Sequence, residues 1–378
     1  MLRVPSVPGK AYVDVVWMRK ALELAERGAG LVSPNPLVGA VVVRDKRVVG
    51  EGWHEGPGLS HAEPRALDAA GELALGSTLY VTLEPCAHQG RTPPCVPRII
   101  ESGVQRIVVA TVDPNPIVDG RGIAALREAG IVVEVGALGR EAERQNAGFL
   151  KHVRTGLPHV TLKMAASLDG KVAARDGSSR WITGDAARED VHRLRAASGA
   201  IVVGSSTVEA DDPSLTVRHP EFPGRRPIRV IVDGAGAVPE GHQVFTDDAA
   251  PTLVATSEAA RPERIGAWRD AGAEVLVLSE PGGRRVALGR LFEELGKRGI
   301  QRVLVEGGPT LGWELVHEGL VDQLVLYLAP ILIGGRDAPS VLMGEGIASI
   351  ADPHRVEIVE MLRVGDDIKV VADVHGHR

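Results

Sequence analysis

Aromatic side chains make up only 3% of the 378 residues, and there are only two cysteines. So few rings leave few platforms on which single-stranded bases could stack. Two cysteines in a chain of this length exclude a disulfide framework and suggest metal binding or catalysis. Excess positive charge is also missing. Lys and Arg number 43 against 49 Asp and Glu, a net charge of −6. That balance argues against an overall grip on nucleic acid or anionic membrane, while leaving room for local basic pockets. The longest apolar run, Leu324 to Ile333, contains Pro330 and is too short to span a bilayer. The opening MLRVPSVPGKAYVDVV has no sustained apolar core behind a basic start, so no secretory signal is expected. These absences predict a cytoplasmic protein with neither a membrane nor a nucleic acid as partner.

The residues that are present describe a globular protein, 44% hydrophobic and 24% charged, long enough for two domains. Apolar spacing predicts a helix over 13–27, with Val13, Trp17, Ala21, Leu24 and Ala25 on one face. Strands follow at 38–43 and 47–53, a helix at 61–70, a strand at 78–83 and a helix at 96–102. The series continues with a strand at 107–112, a helix at 122–129, a strand at 131–135 and a polar helix over 141–154. Thr155-Gly156-Leu157-Pro158 then breaks the pattern and marks a boundary. A second alternation begins with a strand at 160–164 and ends with strands at 323–328 and 368–374. Both halves therefore read as α/β layers.

In the first half, "HAE" at 61–63 and "EPCAHQGRTPPC" at 84–95 place His61, Cys86 and Cys95 at element boundaries. One imidazole and two thiolates suit a zinc ion that keeps an open position for water. Cys95 opens a helix, which favours its thiolate. Glu63 is placed to face the open position, take a proton from the water and pass it to a departing amine. Each piece has a plainer reading alone, since HAE often simply starts a helix and a PC pair often packs in a core. Their joint occurrence on the expected elements favours the metal. Zinc deaminases of bases space the two cysteines as P-C-x-x-C. Here Ala87 to Pro94 intervene, and the longer loop carries His88 and Arg91, a natural grip for a phosphate.

"NPLVGAVVV", "HAE", "TLEPCAHQGRTPPC" and "DPNP" together closely resemble the deaminase half of the bifunctional riboflavin-biosynthesis deaminase/reductase family. The resemblance implies a zinc cytidine-deaminase-like three-layer domain over 11–156. It implies that Asn35, His54, His88, Arg91 and Asn115 hold a phosphorylated pyrimidine, with Glu63 as proton shuttle. Pro64 after HAE and Ala147 in "NAGF" are unusual spellings, and neither touches the proposed ligands.

The second half carries "KMAASLDGKVA", "SSRWITG", "STVEADDPSLTVR" and "VEGGPTLGWEL". By itself "EGGPTLG" is a glycine turn between strand and helix that can cradle a phosphate, and it is not a GxGxxG fingerprint. Together the four motifs resemble the reductase half of the same family. That resemblance implies a dihydrofolate-reductase-like α/β domain over 157–378 that uses NADPH. By position, the cofactor would meet Ala165, Trp181, Thr207, Asp211, Gly234, Gly308, Pro309, Thr310, Leu311, Gly312, Trp313 and Glu314. The substrate would meet Ser179, Arg195, Leu215, Arg218 and Glu306, with Arg195 and Arg218 as phosphate forks. Asp211 and Lys163 are both candidate proton donors. A homo-oligomer is expected.

Three alternatives stand beside the two-step enzyme. They are an active deaminase with a non-catalytic binding domain, a polynucleotide deaminase, and a purely structural zinc site. The last would want a fourth protein ligand, and the sequence offers no obvious one nearby.

Overall fold

The computed structural model describes residues 10–222 and 224–374. The reading of the first nine positions lies outside the described residues. Contacts divide the chain between Thr155 and Gly156 into two compact units.

The first unit contains α1 (Lys10–Glu26), β1 (Gly39–Arg44), β2 (Arg47–Trp53), α2 (Ala62–Ala70), β3 (Thr78–Leu83) and α3 (Cys95–Glu101). It continues with β4 (Arg106–Thr111), α4 (Arg121–Glu128), β5 (Val132–Val135), α5 (Gly139–Gln145) and α6 (Ala147–Thr155). The strands form one sheet in the order β2-β1-β3-β4-β5. Successive side chains on a strand point to opposite faces. Ala40, Val42, Leu79, Val81, Ile107 and Val109 accordingly pack with α2 and α3, including Ala66, Leu67, Cys95 and Ile99. Val41, Val43, Tyr80, Val108 and Ala110 pack on the other face with Met18, Ala21, Leu24 and Ala142. Because both faces are covered, these strands read as continuous apolar runs, and three layers result.

Two sequence expectations are corrected here. The buried face of α1 is Met18, Ala21, Leu24 and Ala25, whereas Val13 is 37% exposed. In its place Asp14 is buried, because Tyr80 donates to its carboxylate at 2.8 Å and the Arg106 guanidinium grips both oxygens at 2.6 and 2.9 Å. The predicted helix over 141–154 is two helices, broken at Asn146. That buried side chain instead brackets Leu37, accepting from its N–H and donating to its carbonyl, each at 2.8 Å. An asparagine that bonds backbone elsewhere is a poor helix interior residue.

The Asp14–Arg106 pair supports a stability prediction. Arg106→Met leaves a buried carboxylate uncompensated and is expected to cost about 3–5 kcal/mol. Adding Asp14→Leu should recover most of that loss. Denaturant titration of both variants checks it, and equal loss in the single and double variants would contradict the pairing.

The second unit contains β6 (His159–Ser167), α7 (Asp185–Ala196), β7 (Ala200–Gly204), α8 (Ser205–Asp211), β8 (Ile228–Val232), α9 (Gln243–Thr246) and β9 (Thr252–Thr256). There follow α10 (Pro262–Asp270), β10 (Glu274–Val277), α11 (Leu288–Lys297), β11 (Arg302–Val305), α12 (Pro309–His317), β12 (Gln323–Ala329), β13 (Val356–Val364) and β14 (Asp367–Val374). The sheet order is β10-β9-β8-β7-β11-β6-β12-β14-β13. Pairings are parallel from β10 to β12, and β14 and β13 close the sheet antiparallel. Leu162, Met164, Val202 and Val305 face α11 and α12 on one side. Ile201, Val203 and Ile231 face Val208, Val244 and Trp268 on the other. Farther along the sheet, α7 covers Val325, Tyr327 and Val371 through Ala187 and Val191.

Candidate active sites

In the first unit, His61 is the residue before α2, and Glu63 lies in that helix's first turn, buried. Cys86 follows β3, and Cys95 is the first residue of α3. The long loop between the cysteines closes on itself: the backbone N–H groups of Cys95 and Val96 both donate to the Cys86 carbonyl, at 3.1 and 3.2 Å. His61 Nδ1 consequently stands 3.2 Å from Cys95 Sγ and 3.5 Å from Cys86 Sγ. The three ligand atoms lie within 4.8 Å of one another. A hydrogen bond from Cys95 brings the Cys86 thiol down to about 4 against the pull of burial. The same bond, then burial, pushes Cys95 up, and the bond to Cys86 raises His61. Burial drives the Glu63 carboxyl to about 7, with the Cys86 charge adding to it. One nitrogen and two sulfurs this close, with no fourth protein donor among the described residues, suit zinc with an open position.

That open side faces a cavity of about 340 Å³, and Asn35, His54, His88, Arg91 and Asn115 all line it beside Glu63. Burial pulls the His54 imidazole below the usual histidine range. Its Nδ1 faces the Ser60 carbonyl at 3.3 Å, and its Nε2 accepts from Asn35 Nδ2 at 2.8 Å. This leaves the Asn35 amide oxygen free to accept from a ligand. His88 Nδ1 is buried with no partner among the described residues. Arg91 is exposed and has no hydrogen bond or ion pair among the described residues.

The sequence reading missed Phe149, Asp113 and Glu84, which also line this cavity. Glu84 is buried, and its carboxylate accepts from the N–H groups of Gly120, Gly122 and Ile123 at 2.9 to 3.1 Å and from Asp113 at 3.3 Å. It thereby ties the strand end that carries Cys86 to the first turn of α4. The quoted "TLEPC" contained that signal, but nothing in the spacing showed that four N–H donors would converge on it.

In the second unit, Lys163 on β6 and Glu306 just past β11 are register neighbours on one sheet face, since Val305 pairs with Leu162. Arg195 on α7 covers them. Its guanidinium donates to both Glu306 oxygens at 2.5 and 3.0 Å and to the Thr216 carbonyl at 3.0 Å. Burial opposes the Arg195 charge, and Glu306 more than offsets it. Arg195 likewise holds Glu306 below the usual carboxylate range. The fork of Arg195 is thus already engaged, whereas exposed Arg218 has, among the described residues, only Ser214 Oγ on its guanidinium, at 3.3 Å.

Around this centre, Arg180 joins Trp181 to Asp211: it donates to the Asp211 carbonyl, and Trp181 lies 69% exposed beside it under the Arg188 guanidinium, 4.5 Å from the ring centre. Leu215 is buried with a left-handed backbone, and the Ser214 carbonyl beside it accepts from buried Arg229. Thr207 in α8 lies near Gly308, where a Cβ would stand 3.5 Å from its hydroxyl, so the first turns of α8 and α12 adjoin. Gly308 precedes α12, with Pro309 at its first position and Thr310 next. Leu311 and Gly312 are buried, and Leu311 packs in the core beneath the sheet. Trp313 stacks on His317, and Glu314 pairs with Arg285 at 3.3 Å. Gly234 follows β8, and its carbonyl accepts from Ser257. Ala165 lies on β6 and is half-buried, and Ser179 precedes Arg180 in the loop before α7. The ends of β6, β7, β8 and β11 thus gather most of these residues, the edge at which open parallel sheets bind ligands.

Comparison with known proteins fits both sites. Residues 12–111 match the cytidine and deoxycytidylate deaminase zinc-binding region, and residues 158–370 match the RibD C-terminal domain. A riboflavin biosynthesis protein RibD from Bacillus amyloliquefaciens is 47% identical over 363 residues, 95% of this chain and 96% of its own. The chain belongs to the RibD family. The solved RibD of Acinetobacter baumannii superposes with a TM-score of 0.82 at 39% identity, covering 97% of this chain and all of the other. A Thermotoga maritima structure, named a diaminohydroxyphosphoribosylaminopyrimidine deaminase/5-amino-6-(5-phosphoribosylamino)uracil reductase, reaches 0.82 at 35% with the same coverage of this chain. As a RibD family member the chain is a bifunctional deaminase and reductase of riboflavin biosynthesis, with a cytidine-deaminase-like unit before a RibD-type reductase unit. Both catalytic domains are present, so the reading of the second half as a non-catalytic module falls. Among the described residues, no helix is long and apolar enough to cross a membrane.

Proposed function

We propose that the first unit removes an amino group hydrolytically from a diaminopyrimidine ribosylamine 5′-phosphate, and that the second reduces the ribosyl chain of the product to ribityl with NADPH. The observation that carries the first step is the His61, Cys86 and Cys95 triangle opening, with Glu63, onto a cavity lined by all five expected polar residues. Zinc held there would supply Lewis-acid activation of water near neutral pH. Glu63, only 3% exposed on the cavity wall, takes the proton from the attacking water and returns it to the departing nitrogen. Asn35 and His88 offer an acceptor and a ring nitrogen unpaired among the described residues for the pyrimidine edge, and Asn115 lines the same cavity. Arg91, free among the described residues, receives the phosphate.

For the second step NADPH would supply the hydride, which goes to C1′ of the ribosyl group. The first turn of α12, with Gly308 at its start and Thr207 beside it, offers backbone N–H groups to a cofactor phosphate. Trp181, largely exposed, offers a ring face. Arg218 carries the free fork for the substrate phosphate, and Arg195 orients Glu306. Lys163 delivers the proton to the opening sugar oxygen. Its ammonium has no hydrogen bond or ion pair among the described residues, and burial pulls it down toward easier proton release. Asp211 is the weaker candidate because Arg180 already occupies it.

The test is to supply the pyrimidine ribosylamine phosphate with NADPH and to follow ammonia and cofactor absorbance together. One ammonia released per NADPH oxidised is expected. Ammonia release without oxidation would overturn the second step. Arg91→Ala is expected to raise the deaminase KM about 10- to 100-fold with little change in kcat, since a remote charged contact gives mostly uniform binding. An unchanged KM with phosphorylated substrate would make the 87–94 loop structural.

A further inference from the structure

We infer that Tyr327 is a positioning residue for the reductase: its ring holds the Lys163 ammonium in place, and an Asp190–Lys369 pair fixes the ring. The inference rests on Lys163 being the proton donor proposed above. Tyr327 on β12 pairs in register with Ala165 on β6 and with Lys369 on β14, two residues along the strand from the Lys163 pairing. Its side chain is fully buried beneath α7, in the cluster with Ala187, Val191, Val325 and Val371. The phenol donates to Asp190 Oδ2 at 2.6 Å, and Lys369 Nζ stands 2.7 Å from the same oxygen. Both lysine nitrogens lie near the ring, Lys163 at 5.8 Å and Lys369 at 5.9 Å from its centre.

The two lysines differ in one respect. Lys369 has a carboxylate partner, Asp190 on α7, and Lys163 has none among the described residues. A buried ammonium without a carboxylate partner is costly. The face of an aromatic ring within about 6 Å stabilises such a cation without taking its proton. The charged groups around Lys163 come from three elements: Glu306 past β11, Arg195 and His192 on α7, and Lys369 on β14 paired to Asp190. Glu306 favours the ammonium, Arg195 disfavours it, and Glu306 is itself taken up by Arg195. The ring is therefore the neutral support that keeps Lys163 aimed yet able to give up its proton. On the same helix, Asp190 and Arg195 bind Tyr327 and Glu306 respectively, so α7 fixes both supports of Lys163 at once.

The experiment compares Tyr327→Met, Tyr327→Phe and Lys163→Met in the full chain, each assayed for NADPH binding, reductase kcat, KM and pH profile, and ammonia release. Methionine fills much of the space without a ring quadrupole. Tyr327→Met is expected to lower reductase kcat about 10- to 100-fold with KM nearly unchanged. It is also expected to move the alkaline limb of the kcat profile down by about one unit, because losing the ring disfavours the ammonium. Tyr327→Phe keeps the ring and should restore kcat to within about threefold. Ammonia release should stay at the unmodified rate in all three variants. If Tyr327→Met does not bind NADPH, Asp190→Asn serves in its place and should show a smaller loss of kcat with the same direction of shift. Reduction persisting in Lys163→Met would remove the donor reading itself. Loss in Lys163→Met with an unchanged kcat and alkaline limb in Tyr327→Met would leave the donor in place and overturn the role of the ring.

Discussion

Glu63→Gln is expected to lower ammonia release by about 10²- to 10⁴-fold, the range typical for removing a positioned general acid–base group. The variant should keep its zinc, because Glu63 is not among the three ligand atoms that cluster. It should also keep its fold. Glu63 lies 3% exposed in the first turn of a helix whose other buried residues are Ala62, Ala66, Leu67 and Ala70. Glutamine has nearly the same shape, and it removes the cost of holding an ionisable carboxyl in that apolar setting. The melting temperature is therefore expected not to fall, the trade expected where a site is kept strained for function. Reduction of substrate that has already been deaminated should proceed as before, which separates loss of the proton shuttle from general damage. Ammonia assays, metal analysis and NADPH oxidation on one preparation check all three points. Deamination near the unmodified rate would take Glu63 out of the mechanism.

The first site was legible in the sequence because its chemistry depends on rare residue types placed where elements begin and end. Histidine, glutamate and two cysteines at the starts of α2 and α3 and the end of β3 could be joined once the strand–helix alternation was recognised. The parallel strands were legible for a similar reason, since strands covered on both faces are apolar at nearly every position. Contacts made over long sequence distances were not legible. Asp14 is not on the apolar face expected of its helix, and nothing near it in the chain announces Arg106. Arg195 read as a phosphate fork, and only the fold shows that Glu306 and the Thr216 carbonyl already fill it. The short α8 and α9, only 7 and 4 residues long, offer too few positions for a helical period to show. The β13 strand lay hidden because Ile358 and Met361 on it are 63% and 70% exposed, so burial imposed no alternation that could be read.

Cys86→Ser is expected to weaken zinc affinity by more than about 100-fold, beyond the loss usual for outer-shell partners, and to abolish deamination with it. Serine removes a thiolate that Cys95 and His61 already favour by hydrogen bonding. Metal binding is coupled to folding, so the first unit should also unfold earlier on heating. Cys95→Ser should show the same metal and activity losses. The two variants should part company once zinc is stripped. Cys95 is completely buried in the core of the α2–α3 face, whereas Cys86 is only half-buried. A buried hydroxyl in place of a thiol carries a packing and desolvation cost that does not depend on the metal. With chelator present, Cys86→Ser should therefore melt close to the unmodified chain, and Cys95→Ser should still melt below it. NADPH oxidation on deaminated substrate should be untouched in both. A full equivalent of zinc in either variant would break the ligand assignment. An identical deficit in the two variants after chelation would mean that the thiols serve the core of the first unit and not the metal.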